Sequence, residues 1–178
     1  MTKIIIQATP KRKAYVDGLI QQLSDVKVVY DDGKGPMDTF LESLIEEAHI
    51  HLEDDVILCE DFEVKAQQYI DAQPNNIINF FRMGKNMERC CSASTFSSTV
   101  GFYLPNNYGF RIKEFYGVWS KSEEGQKNPT GFDTLIRRYA IVQGLKYVMA
   151  IPNLVDHRQG PSELGPRNSN RRSHTFHK

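Results

Sequence analysis

The stretch that decides the fold is His49-Ile50-His51-Leu52-Glu53-Asp54-Asp55-Val56-Ile57-Leu58, an apolar run interrupted by three consecutive carboxylates. The apolar residues before the acids predict a buried strand. Three adjacent acids repel one another, so a fold that keeps them at the end of a strand commonly places a cation there. Oxygen ligands suit a hard cation such as Mg²⁺ or Mn²⁺. The alternative interpretation of the triplet is a solvated acidic turn.

Strand and helix patterns alternate before this stretch. The predicted elements are a strand over Ile4 to Gln7, a helix through Tyr15 to Leu23, a strand over Val26 to Tyr30, a helix through Phe40 to Ala48 with Asp38 as N-cap, and a strand over His49 to Leu52. This order predicts an α/β fold in which helices flank a mostly parallel central sheet. We expect residues 1–178 to form a single domain.

Polar clusters follow each of the first three predicted strands. They are Thr9 to Lys13, Asp31 to Lys34, and Glu53 to Asp55. In a parallel sheet the carboxyl ends of the strands meet at one edge, and ligands bind there. The three clusters therefore predict a binding site at this edge.

The second half of the chain shows fewer regular patterns. Further predicted elements are a helix through Phe62 to Ile70, strands over Ile77 to Phe81, Val100 to Leu104 and Tyr147 to Ile151, and a helix through Phe132 to Ala140 that stops at Gly144. Lys121 to Thr130 is polar and is predicted to be a mobile loop of the kind that closes over substrates. From Pro152 onward no period is visible.

Composition excludes several classes of protein. The chain has 178 residues and a formal net charge of +0, so no overall field favours nucleic acid or membrane. It has no apolar run of membrane-spanning length, and its first residues lack the pattern of a signal peptide. The three cysteines include an adjacent pair and no CxxC spacing, which favours a reducing compartment over a disulfide framework. We therefore expect a cytoplasmic protein with no membrane span.

Five ordered segments carry a resemblance to a known family. They are Gln-Ala-Thr-Pro-Lys-Arg after the first strand, Asp31-Asp32 after the second, Leu-Glu-Asp-Asp-Val, Gly-Phe-Asp before a helix, and Ile-Pro-Asn-Leu-Val-Asp-His. Over residues 3 to 160 the chain resembles a compact glycosyltransferase of the GT-A (Rossmann-like) fold. It is most similar to small bacterial and phage enzymes of the lipooligosaccharide glycosyltransferase type.

The resemblance implies a metal site. Glu53-Asp54-Asp55 matches the family's DxD motif, in which the last acid binds the metal and the first faces the metal or the donor ribose. It implies Asp54, Asp55 and the later His157 as metal ligands, and Glu53 and Asp54 as contacts to the nucleotide sugar. The implied cofactor is Mn²⁺ or Mg²⁺, and an imidazole ligand suits Mn²⁺ better. For His157 the alternative is an ordinary surface histidine.

The resemblance also implies a donor-binding surface. Thr9, Pro10 and Arg12 match the segment around the base and ribose, and Asp31 or Asp32 matches the acid that hydrogen-bonds the nucleoside. The implied donor is a nucleotide sugar, most commonly UDP-linked in this family. The alternative is that both segments are ordinary turns.

Asp133 matches the catalytic carboxylate of inverting members. In that role it would take the proton from the attacking acceptor hydroxyl. The alternative is a structural one, because an acid in the first turn of a helix is favoured by the helix dipole. Family members often have an aromatic residue followed by two acids, or Trp-Asp, where this chain has Gly-Phe-Asp.

Residues 152–178 form a basic tail, in which five Lys or Arg residues stand against two Asp or Glu residues. Arg158, Arg171 and Arg172 are predicted to close over the donor diphosphate as a lid. Alternatively the tail contacts an acidic acceptor such as DNA, or is a disordered tail that does neither.

The sequence therefore predicts a metal-dependent, inverting glycosyltransferase that acts on an acceptor hydroxyl. A phage-type enzyme that modifies hydroxymethylated DNA bases and a bacterial surface-glycan enzyme both fit. One alternative is a nucleotidyltransferase, although the chain lacks the Gly-rich, Lys-containing loop usual after its first strand. Another is a non-catalytic module that binds nucleotide sugars or glycans.

Overall fold

The structure, a computed structural model of the chain, describes residues 1–83, 89–161, 168–169 and 172–178. Over these residues the chain forms an α/β fold around a seven-stranded sheet. Its strands are β1 (Lys3–Ala8), β2 (Val26–Tyr30), β3 (His49–Glu53), β5 (Ile77–Asn79), β6 (Cys90–Ser92), β7 (Gly101–Leu104) and β8 (Lys146–Met149). Two small antiparallel ladders join β4 (Val56–Leu58) to β9 (Val155–His157), and β10 (Gly160–Pro161) to β11 (Asn168–Ser169).

The sheet has the strand order β2-β1-β3-β7-β5-β8-β6. Neighbours β2 and β1, β1 and β3, and β5 and β8 are parallel. Strand β7 runs antiparallel to both β3 and β5, and β6 is antiparallel to β8. Five strands thus share one direction, which confirms the mostly parallel sheet. The reversal of β7 places its beginning, rather than its end, at the carboxyl edge of β3.

Helices cover both faces of the sheet. They are α1 (Lys13–Ile20), α2 (Pro36–Ser43), α3 (Phe62–Ala72), α4 (Tyr108–Trp119), α5 (Glu123–Lys127) and α6 (Phe132–Val142), with 3₁₀ turns at Pro10–Arg12 and Ala93–Thr95. Alternate residues of β3 serve the two faces: Ile50 and Leu52 pack in the core with α1 and α3. On the other face the His51 ring stacks on Phe102 and meets the edge of Phe40 from α2.

Two sequence predictions about helices are wrong. Helix α2 begins at Pro36 and ends at Ser43, so Asp38 lies in its first turn and Gly35 is the N-cap. Pro36 at the first helical position sets this start, because its fixed φ suits a helix and its missing N–H is not needed there. The apolar spacing predicted a helix through Ala48 because Leu44 is apolar and buried. Leu44 nevertheless lies in an extended conformation just after the helix.

The polar segment Lys121 to Thr130 is not simply a loop, because it contains α5. Ser122 caps this helix by accepting the Gly125 N–H at 3.2 Å. The Glu124 carboxylate accepts hydrogen bonds from Trp119 Nε1 at 3.2 Å and from Arg138 Nε at 2.8 Å. These bonds tie the segment to α4 and α6, and the hydrogen bond from Arg138 lowers the pKa of Glu124.

The chain end returns to the body of the protein. The Ser173 hydroxyl donates to Asn153 Oδ1 at 2.7 Å, and its N–H donates to Asp156 Oδ1 at 2.8 Å. The Asn153 N–H donates to Thr175 Oγ1 at 3.0 Å, and Phe176 packs against the core. Residues 172–178 are therefore docked rather than a disordered tail. None of the described helices is both long and apolar enough to cross a membrane.

Candidate metal centre

The acidic triplet lies at the carboxyl edge of the central sheet. Strand β3 ends at Glu53, and the chain turns through Asp54 and Asp55 into β4. In the β4–β9 ladder Val56 lies opposite His157, and the Arg158 N–H donates to the Asp55 carbonyl at 2.8 Å. This short ladder brings a late segment of the chain to the acids.

Three side chains form a cluster that can hold a metal ion. One ligand atom from each of Glu53, Asp55 and His157 lies within 4.8 Å of the other two. Asp55 is 5% exposed and His157 is 6% exposed. Asp55 Oδ1 is buried and has no hydrogen-bond partner among the described residues, which is costly for an oxygen inside a protein. A cation would satisfy that oxygen.

The His157 ring is oriented for ligation. Its Nδ1 lies 2.5 Å from the carbonyl oxygen of Arg158, so Nδ1 carries a proton. Its Nε2 lies 3.3 Å from Asp55 Oδ2. Nε2 and the Asp55 carboxylate therefore face each other, and a metal cation between them would bind both. A backbone acceptor on the other ring nitrogen is the usual arrangement for a metal-binding histidine.

Glu53 is positioned by the start of β7. Its carboxylate accepts a hydrogen bond from Thr99 Oγ1 at 2.9 Å, and its N–H donates to the Val100 carbonyl at 3.0 Å. Sequence analysis did not single out Thr99. Only the reversed direction of β7 places this residue beside the acids, and the polar run before Val100 was the available signal.

The Asp54 side chain is held by the segment after β1. Its carboxylate accepts hydrogen bonds from the Thr9 N–H at 2.8 Å and from Arg12 Nη1 at 2.9 Å. Burial raises the pKa of Asp54, and the Thr9 and Arg12 contacts oppose that rise. The geometry therefore favours Glu53, rather than Asp54, as the third metal ligand beside Asp55 and His157.

Arg12 joins the two aspartates. The same Nη1 lies 2.9 Å from Asp54 Oδ1 and 2.5 Å from Asp55 Oδ2, and the Arg12 side chain is 17% exposed. Burial alone would lower the pKa of Arg12, but the two carboxylates outweigh it and raise that pKa. Thr9, Pro10 and Arg12 thus lie beside the acids, with Pro10 opening the 3₁₀ turn that presents Arg12.

Asp31 and Asp32 follow β2 at the same edge, where the Asp31 N–H donates to the Ala8 carbonyl at 2.8 Å. Asp31 Oδ1 accepts the N–H groups of Gly33 and Gly35, both at 3.0 Å, so this carboxylate shapes the turn into α2. Asp32 has a side chain that is 72% exposed and lies 3.5 Å from Lys34 Nζ. Both residues lie at the carboxyl edge of the sheet, where the sequence predicted a binding site. Asp31 has a clear structural role in the turn.

Asp133 lies in the first turn of α6, and its Oδ1 accepts the N–H of Thr134 at 2.8 Å. The preceding Phe132 stacks on Phe40 of α2 with ring centroids 4.7 Å apart. Because side chains alternate along β3, Glu53 points to the same face of the sheet as His51, which contacts Phe40. Asp133 and Glu53 therefore belong to the same side of the sheet.

The predicted lid residues have different surroundings. Arg158 is partly buried, and its guanidinium carbon lies 4.9 Å from the centre of the Tyr15 ring. Arg172 is exposed at the start of the docked segment. Arg171 lies outside the described residues, so the prediction for it stays a prediction.

No protein-family model matches this chain, and no curated protein is detectably similar to it in sequence.

Proposed function

We propose that this protein is a metal-dependent glycosyltransferase of the GT-A type that transfers a sugar from a nucleotide donor, most simply a UDP-sugar, to an acceptor hydroxyl. The observation that carries the proposal is the cluster of Glu53, Asp55 and His157 at the carboxyl edge of the sheet, in which Asp55 and His157 are buried. Its mixed oxygen and nitrogen ligands fit Mn²⁺ better than Ca²⁺ or Mg²⁺.

The cluster suits the chemistry of such a transfer. The leaving nucleoside diphosphate gains negative charge as the glycosidic bond breaks, and a bound divalent cation supplies charge that stabilises it. Glu53, Asp55 and His157 would hold the cation, and Thr99 orients Glu53. The buried Asp55 Oδ1 supports this role, since it otherwise lacks a hydrogen-bond partner among the described residues.

Other residues have matching roles in the proposal. Thr9, Pro10 and Arg12 border the donor, with Arg12 held by Asp54. Asp133 accepts the proton from the acceptor hydroxyl as its oxygen bonds to the sugar carbon. The bond to the nucleoside diphosphate breaks on the opposite side of that carbon, so this direct displacement inverts its configuration.

The first test measures thermal stability with nucleoside diphosphates and nucleotide sugars, each with Mn²⁺, with Mg²⁺ and with chelator. A ligand that binds only the folded state raises the melting temperature. We expect one nucleotide sugar to stabilise the protein only with metal, and Asp55→Asn to abolish the shift. Asp17→Asn, which changes an exposed acid on α1, is the matched control and should retain it.

The second test measures release of nucleoside diphosphate in the presence of hydroxymethylated DNA or of glycan acceptors. Asp133→Asn should retain metal-dependent donor binding and lose turnover. Asp38→Asn is its control, because Asp38 also lies in the first turn of a helix and shares the dipole effect. Pyrophosphate release from a nucleoside triphosphate would instead identify a nucleotidyltransferase. A protein that binds the donor but transfers sugar to no acceptor, and whose donor binding is unaffected by Asp133→Asn, would be a binding module.

A further inference from the structure

The end of the chain bonds to β9, the strand that carries the candidate metal ligand His157. The Ser173 N–H donates to Asp156 Oδ1 at 2.8 Å, and the Ser173 hydroxyl donates to Asn153 Oδ1 at 2.7 Å. The same hydroxyl accepts the Thr175 N–H at 3.2 Å. Ser173 therefore links the strand to the turn that precedes it.

Asn153 is a buried anchor for this contact, because it is 4% exposed and bonded to the central fold. Its Oδ1 also accepts the Arg82 N–H at 3.1 Å, and its Nδ2 donates to the Ala150 carbonyl at 2.7 Å. The Asn153 N–H donates to Thr175 Oγ1 at 3.0 Å, and Phe176 packs against the core. A buried amide that is bonded in this way holds one arrangement of the segments around it.

Strand β9 is short, and its backbone sets the position of the His157 ring. It pairs with β4 over three residues, and a two-stranded ladder of this length has little stability of its own. The Arg158 carbonyl oxygen lies 2.5 Å from His157 Nδ1, so the ring follows the backbone at the end of the strand. Because side chains alternate along a strand, Asp156 and His157 point to opposite sides. The bond from Ser173 thus supports the strand from the side opposite its metal ligand.

We propose that Ser173, Thr175 and Phe176 form a C-terminal latch that positions the metal ligand His157 through β9, with Ser173 as the positioning residue. This inference rests on the proposed function for its metal. The latch differs from the predicted lid, because it bonds to the strand itself and requires no donor. Docking of the latch and binding of a cation should stabilise each other, since both need the same placement of β9.

The first test measures Mn²⁺ binding to the full chain by calorimetry, without nucleotide. Ser173→Ala should weaken Mn²⁺ binding about three- to tenfold, the effect of losing one hydrogen bond from the coupled arrangement. Asp156→Ala should bind Mn²⁺ about three- to tenfold more weakly than Asp156→Asn, which keeps an acceptor oxygen for the Ser173 N–H. Comparing these two variants cancels the loss of the charge.

Ser24→Ala is the matched control for loss of stability. The Ser24 hydroxyl also joins distant segments, since it donates to Glu63 Oε1 at 2.7 Å. Its removal should destabilise the fold about as much as Ser173→Ala and leave Mn²⁺ affinity unchanged.

The second test measures hydrogen exchange of the wild-type protein with and without saturating Mn²⁺. Coupling is reciprocal, so the metal should slow exchange of the Ser173 amide by a similar factor, about three- to tenfold. The Ser24 amide also donates to a carboxylate, that of Glu63 at 3.1 Å, and should change less. His157→Ala should remove the difference between the two amides.

Several results would overturn the inference. One is normal Mn²⁺ affinity in Ser173→Ala, and another is an equal loss of affinity in Ser24→Ala, which would reflect general destabilisation. Equal slowing of exchange at the two amides would show that the metal stabilises the whole fold rather than the latch. A wild-type protein that fails to bind Mn²⁺ would overturn the metal-dependent function as well, whereas the other results leave that function standing.

Discussion

Replacing Arg12 by Met should destabilise the protein because it removes the cation shared by two buried carboxylates. Asp54 and Asp55 are 4% and 5% exposed, and both accept a hydrogen bond from Arg12 Nη1. Breaking a buried ion pair typically costs about 3–5 kcal/mol. Here we expect about 3 kcal/mol, the lower end of that range, because Asp54 keeps the Thr9 N–H and Asp55 keeps its contact with His157.

The assay is thermal unfolding at pH 7 in chelator. About 3 kcal/mol corresponds to a fall in melting temperature of roughly 6–12 °C for a domain of this size. Mn²⁺ should recover part of the loss, because a cation at Asp55 replaces the missing charge. Asp54→Asn in the Arg12→Met background should also recover part of it, because one unpaired carboxylate is removed. Lys13→Met, which breaks an exposed pair with Asp17, is the control and should leave the melting temperature unchanged.

The pH dependence gives a second, independent readout. Burial already raises the pKa of Asp54, and Arg12 opposes that rise. A carboxylate whose pKa is higher in the folded state than in the unfolded state destabilises the fold as pH rises through the folded pKa. Without Arg12 this pKa rises further, so the difference between variant and wild type should be large at pH 7 and shrink toward pH 4. A difference that stays constant over this range, or that Asp54→Asn does not relieve, would refute the reasoning.

Three further predictions concern the rest of the fold. Burial lowers the pKa of His51 to about 3. As pH falls below about 6.5, the unfolded state takes up a proton that the folded state does not, so the free energy of unfolding should drop by up to about 1.4 kcal/mol per pH unit. His51→Phe should reduce this pH dependence, measured by urea unfolding. Gly109→Ala would place its Cβ 2.1 Å from a backbone oxygen and should lower the free energy of unfolding by about 1–3 kcal/mol. Gly117→Ala on the same helix meets no atom within 4 Å and should raise that free energy by about 0.5–1 kcal/mol. Ser173→Ala removes a 2.7 Å hydrogen bond to Asn153 and should cost about 1 kcal/mol in thermal unfolding.

Much of the first half of the fold follows from the sequence. Strands β1, β2 and β3 lie where their apolar runs predicted, and their polar ends meet at one edge as expected of parallel neighbours. The second half was less predictable. Helix α4 has exposed apolar residues such as Phe110 and Val118, so its apolar positions do not mark a single buried face. Strand β9 is only three residues long, too short to show a period.

The candidate site, like the fold, was predictable from the sequence only in part. The sequence by itself determined that three acids follow a buried strand and that Thr9 to Arg12 end a neighbouring one, because strand periodicity and adjacency are local properties of the chain. The resemblance already placed Asp55 and His157 at one metal site. Only the tertiary structure decided that Glu53 joins them while Asp54 bonds to Arg12. The β4–β9 ladder and the reversal of β7 bring these groups together, and pairing between distant segments depends on the packing of the whole fold.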